Sequence, residues 1–130
     1  MASNITVDTL TKGSTTLNTD EIVDTNSNQI CKAWVNFNGS GTVAIRDSYN
    51  VSSITDNGTG DFSVNFSTSM PSVNYAAISC AGYDNTSSST DITTRTYTRA
   101  TSSVRLFVFA NNSGAGRLDA HYVAASVFSD

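Results

Sequence analysis

The chain has 130 residues, enough for one domain with its own core, and 38% of them are hydrophobic while only 14% are charged. An average soluble domain carries roughly 25% charged residues, so this surface is polar through hydroxyls and amides: Ser and Thr supply 38 residues and Asn 13. A net charge of −4 gives no electrostatic reason to bind nucleic acid or an anionic membrane, no run approaches the ~20 apolar residues of a membrane helix, and one Glu with two Lys argues against long helices.

Residues 1–29 hold short apolar groups, "ITVDTL" and "EIV", separated by polar tracts. Their periodicity is too weak for a compact unit, and they read as an extended arm with one or two short strands, Ile5, Val7 and Leu10 being its anchoring candidates. The start, "MASNITVDTLTKG", has neither a basic n-region nor an apolar h-region, so no Sec-type signal peptide is expected. From residue 30 to 130 the pattern is that of a β-domain. In "ICKAWVNFN", Cys31, Ala33, Val35 and Phe37 point one way, and Lys32, Trp34, Asn36 and Asn38 the other. The segment "TVAIRDSYNVSSI" places Val43, Ile45, Tyr49 and Val51 on one parity. Asn57-Gly58 is a hairpin signal, and "DFSVNFS" alternates with Phe62, Val64 and Phe66 inward.

Further strands are expected in "NYAAISCAG", "DITTRTYTR" and "LDAHYVAASVF". "SVRLFVFA" is apolar on both parities and so reads as a central strand or one covered on both faces. Turn signals every 8–12 residues predict an antiparallel β-sandwich, jelly-roll-like, of about seven or eight strands. The expected buried set is Trp34 or Phe37, with Val43, Ile45, Phe62, Val64, Phe66, Ile78, Leu106 and Val108. Cys31 and Cys80 are too few for a disulfide framework, and their apolar neighbours predict buried free thiols in a reducing compartment.

Catalytic residue types are scarce. His121 is the single histidine, and Asp119 two residues away would share its face of a strand, which is all the geometry a Ser-His-Asp arrangement would have. There is no GxSxG elbow or phosphate-cradling loop. A structural zinc site needs about four Cys or His ligands where three such residues exist. "DNGTGD" lacks the glutamate that closes a calcium loop and reads as a turn. A carboxylate pair such as Asp84 and Asp91 for glycoside hydrolysis has no support in spacing. Catalysis, metals and cofactors are therefore not expected. Arg95, Arg99 and Arg105 could line a basic stripe but read as solvated strand faces. The contact candidates are loop residues with planar amides beside a ring: Tyr83, Asp84 and Asn85 in one loop, Asn111, Asn112 and Arg117 in another.

The stretch from Cys31 to Ala76, "CKAWVNFNGSGTVAIRDSYNVSSITDNGTGDFSVNFSTSMPSVNYA", resembles a terminal β-domain of bacteriophage tail-fibre and virion-surface proteins of the marine and cyanobacterial type. The residues that carry it are Lys32 to Phe37, Gly41 to Arg46, Asn50 to Ser53, Asp56 to Gly60, then Phe62, Val64, Phe66 and Met70-Pro71. "ITVDTL" resembles the lead-in of such proteins, and residues 83–130 match in style only. The resemblance implies a non-enzymatic virion part on the particle surface, a homo-oligomer and often a trimer. Its implied partners are other virion proteins and a host-surface glycan or protein. Tail fibres are usually long, so a chain in which "MASNITVDTL" runs straight into family-like sequence is expected to be a short capsid knob or head fibre.

Overall fold

The computed structural model describes residues 30–83, 92–110 and 116–129 in full, and the backbone of 9–12 and 15–18. Ten strands follow in chain order: β1 (Thr9–Lys12), β2 (Thr15–Asn18), β3 (Cys31–Asn38), β4 (Ala44–Tyr49), β5 (Val51–Asp56), β6 (Asp61–Phe66), β7 (Ala76–Gly82), β8 (Ile92–Ala100), β9 (Ser103–Ala110) and β10 (Tyr122–Phe128). β1 and β2 pair with each other, and the other eight strands form two antiparallel four-stranded sheets, β4-β3-β10-β7 and β5-β6-β9-β8. Among the described residues there is no helix. The hairpins β3–β4, β5–β6 and β8–β9 each stay within one sheet. This connectivity supports the two-sheet sandwich and not the more specific jelly-roll label.

The core lies between the sheets and follows from period-two alternation. One sheet contributes Ala33, Val35 and Phe37 from β3 and Val123, Ala125 and Val127 from β10. The other contributes Phe62, Val64 and Phe66 from β6 and Val104, Leu106 and Val108 from β9. Phe37 and Phe62 meet edge to face at 5.3 Å across the two layers, both fully buried.

Several expectations need correction. The segment around Val43 and Val51 is two strands in different sheets, because Asn50 adopts a φ of +54° and turns the chain. Asn tolerates this region better than most residues, and its side chain holds the corner. Its Nδ2 donates to the carbonyls of Lys32 (3.0 Å) and Thr68 (3.1 Å), and its Oδ1 accepts from the Thr68 amide at 2.7 Å. Ile45 is exposed and Val43 only partly buried, since β4 is the edge strand of its sheet, even though Ile45 pairs with buried Phe37. Ile78 is exposed, because the pairing of β7 with β10 sets Ala77 beside Val127 and Ala81 beside Val123 on the inner face. The same parity turns Cys80 outward, so it is exposed and Cys31 half-buried, both free thiols. Of the Trp34–Phe37 alternative, Phe37 is the buried residue.

Buried polar groups fasten the connections. The Tyr75 hydroxyl lies 3.1 Å from the Ala100 carbonyl and 2.9 Å from that of Ser103, tying the entry to β7 onto the β8–β9 turn. Tyr75→Phe leaves both carbonyls without this donor, and we expect a loss of about 1–2 kcal/mol in urea unfolding. Burial raises the Tyr75 phenol above its ordinary value of 10.0. A raised folded value means that this stabilisation is complete below the unfolded value and is lost as pH climbs through the folded one. The Tyr75→Phe chain should lack that alkaline loss.

Candidate functional site

The two outer faces of the sandwich differ in chemistry. On the β5-β6-β9-β8 sheet, the outward residues of β9 include Arg105, Phe107 and Phe109, which explains why this strand is apolar on both parities. Phe107 is only 7% exposed although it faces away from the core. Tyr97 stacks on it at 4.4 Å, and the guanidinium of Arg117 covers its ring at 3.7 Å. Arg95 lies over Phe109 at 5.1 Å.

Beneath these groups Asp61 is buried and fully engaged. Its Oδ1 accepts from Arg105 Nε at 2.7 Å, and its Oδ2 accepts from Arg105 Nη2 at 2.8 Å and Arg117 Nη1 at 2.7 Å. The Arg105 hydrogen bond, opposed by burial and helped by both guanidinium charges, holds its carboxyl below the usual carboxylate value. The carboxylate in turn raises Arg105. Two of the five arginines, Arg105 and Arg117, are thus committed to structural ion pairs with Asp61, so Arg105 is not the solvated strand-face residue the sequence suggested.

The β4-β3-β10-β7 sheet presents a different face. Trp34 pairs directly with Tyr49, Ser126 pairs with Trp34, and Ile78 pairs with Ser126, so these four residues form one cross-strand row on the outside. Tyr49 is 59% exposed, Ile78 64% and Trp34 37%. Tyr122 is also exposed, and the Arg46 guanidinium sits over its ring at 4.4 Å. Small residues, Ala124 and Ser126, floor a shallow dip between Ile78 and the aromatic side.

At one end this face opens into a cleft of about 410 Å³. Lys32 and Tyr49 form one wall, Thr68, Ser69 and Pro71 the other, with Asn50 and Met70 between. The cleft is shaped by backbone pairing around the corner. The amides of Phe66 and Met70 donate to the carbonyls of Ser102 (2.9 Å) and Thr101 (2.8 Å), and the Ser67 amide donates to Asn50 at 3.2 Å.

The loop candidates are placed otherwise. Tyr83 is half-buried, edge-on to His121 at 5.6 Å. Arg117 serves Asp61 and Phe107. Asp84, Asn85, Asn111 and Asn112 lie outside the described residues, as do Ile5 and Val7, and Leu10 sits in β1, of which the backbone alone is described. Asp119 and His121 precede β10 and do not share a strand face; the Asp119 carboxylate accepts from the Gly60 amide at 2.7 Å. Asp56 and Asp61 of "DNGTGD" go to the Gly58 amide (2.9 Å) and to the two arginines, the geometry of a turn.

No group of three or more Cys, His, Asp or Glu side chains that could hold a metal occurs among the described residues. The structure therefore offers an aromatic sheet face with an adjoining cleft of mixed apolar and polar lining as its candidate functional site. Sequence reasoning placed contacts in the loops, although the signal was present in Trp34 sharing a parity with Lys32, Asn36 and Asn38. No protein-family model, curated protein or solved structure matches this chain.

Proposed function

We propose that the protein is a non-enzymatic structural part of a bacteriophage virion, exposed on the particle as a capsid knob or tail-fibre domain and assisting attachment to the host. The observation that carries this reading is the long resemblance from Cys31 to Ala76, which spans β3 to β6 and the approach to β7. Its most distinctive residues have structural duties in this fold. Asn50 stitches the corner, Asn57-Gly58 and Gly60 shape the β5–β6 turn, and Met70 is buried beside Pro71. A polar sandwich with reduced cysteines and sparse charge suits a repeated surface element assembled in a host cytoplasm.

In this reading the chain self-associates, as a trimer, and meets other virion proteins through residues 1–29. The β1–β2 pair joins neither four-stranded sheet, which supports treating that region separately from the sandwich of 30–130. Removing residues 1–24 is expected to leave the melting temperature of the sandwich unchanged and to abolish attachment to particles. A truncated chain that unfolds would contradict this division. Light scattering tests the assembly: a solution mass three times that of the 13.7 kDa chain is expected, and a mass equal to one chain at every concentration would overturn it.

A further inference from the structure

We infer that the cleft between Lys32, Tyr49, Thr68 and Ser69, together with the Trp34 ring beside it, is a saccharide-binding site. Three observations converge there. First, Trp34 and Tyr49 are directly opposed on neighbouring strands and both expose their rings, although a core only one layer away could have taken them. Cross-strand partners stand about 5 Å apart at Cβ, so the two exposed side chains stand next to each other on the same outer face. The faces of such rings suit the C–H face of a pyranose, which is apolar and nearly flat.

Second, this pair is bordered by polar groups with spare hydrogen-bonding capacity. The side chains of Lys32, Tyr49, Thr68 and Ser69 make none of the hydrogen bonds found among the described residues, while Asn50, also lining the cleft, already uses both of its amide donors and accepts once. Hydroxyl, phenol and ammonium heads thus ring the cleft with their donors and acceptors uncommitted. Third, the cleft is rigidly built. Asn50 locks the Lys32 backbone to Thr68, and the Met70 amide is tied to Thr101, so the walls do not depend on the ligand for their positions.

These features choose among occupants. An aliphatic chain would leave the hydroxyls and the ammonium unmatched. A flat protein partner would meet apolar residues interrupted by Asn36, Asp47 and Lys32 on the same face. A sugar uses both halves, stacking on the rings and exchanging hydrogen bonds with the rim. Lys32, a cation in a chain of net charge −4, favours saccharides that bear a carboxylate or sulfate. This inference deepens the surface-protein reading and rests on it for the source of the ligand, a bacterial cell-surface glycan.

Trp34 is the single tryptophan of the chain, so its fluorescence reports on this site alone. The full chain would be screened on an array of bacterial surface oligosaccharides, and each oligosaccharide bound would be titrated while Trp34 emission is followed. Binding should shift or quench that emission. Tyr49→Ala and Lys32→Met, both at exposed or half-buried positions, should each weaken binding about tenfold while leaving the circular dichroism spectrum unchanged. Tyr97→Ser, on the opposite outer face, should bind as the parent does. A blank array, binding that leaves Trp34 emission unmoved, or binding that Tyr49→Ala does not weaken would overturn the site. The two readings fail separately: antibody labelling of particles with a blank array removes only this site, and saccharide binding without particle labelling removes only the virion assignment.

Discussion

Gly60→Ala is expected to lower the urea-unfolding midpoint of the sandwich further than any other substitution proposed for this chain. Gly60 has a φ of +59°, a region that costs an L-residue with a Cβ roughly 1 kcal/mol. The larger effect is steric. An added Cβ would lie 2.5 Å from the Val108 carbonyl oxygen, 2.7 Å from the Leu118 amide nitrogen and 2.8 Å from the Leu118 carbonyl oxygen. All three are backbone atoms, so relief requires moving β9 or the segment before β10, not rotating a side chain.

Three hydrogen bonds run through this crossing. The Val108 amide donates to Gly60 at 2.9 Å, the Leu118 amide donates to Val108 at 3.1 Å, and the Gly60 amide donates to Asp119 at 2.7 Å. Strain, overpacking and weakened bonds together amount to about 4 kcal/mol, large for one substitution against a typical total of about 5–15 kcal/mol. Gly58 supplies the contrast. Its φ is also positive, at +121°, but nothing lies within 4 Å of its added Cβ, so Gly58→Ala should cost only about 1–2 kcal/mol. Urea unfolding of the two variants measures the difference, and equal midpoints would contradict the steric account.

Asp61→Asn should be the next most damaging change. The carboxylate accepts three charge-assisted hydrogen bonds from two guanidinium groups while itself only 3% exposed. An amide keeps one acceptor oxygen and turns its NH₂ toward a cation. We expect a loss of about 3 kcal/mol, seen as a fall in melting temperature of roughly 10 °C. The effect extends to Phe107, because Arg117 covers that ring while anchored on Asp61.

The acid side follows from the same group. Its folded carboxyl value is lowered from 3.8, chiefly by the Arg105 hydrogen bond. The stabilisation is therefore complete above the unfolded value and is lost as pH falls through the lower folded one. Acid unfolding of the Asp61→Asn chain should be less steep in that window. A variant as steep as the parent would assign the acid transition to other carboxylates.

Alternation made much of the fold legible. "KAWVNFN" and "DFSVNFS" place the right residues inside because neither strand breaks its period before the turn. Failures arose where backbone geometry intervened without a compositional trace. Asn50 turns the chain in one residue, and the edge position of β4 leaves Ile45 exposed although it pairs with buried Phe37. In β7 the bulkiest side chain suggests the buried parity, but the inner positions beside Val123 and Val127 take alanines. The outer row of the candidate site needed pairing information as well. Trp34 was readable as outward from its polar neighbours, yet nothing in sequence sets Tyr49 and Ile78 level with it.

The measurement that tests the proposed virion role most directly is immunogold electron microscopy of the phage particles proposed to carry this chain, using antibody raised against the folded sandwich. Gold at regular positions on the outer shell or tail is the expected result. Particles that stay unlabelled while the antibody still binds the isolated chain would contradict the assignment to the virion surface.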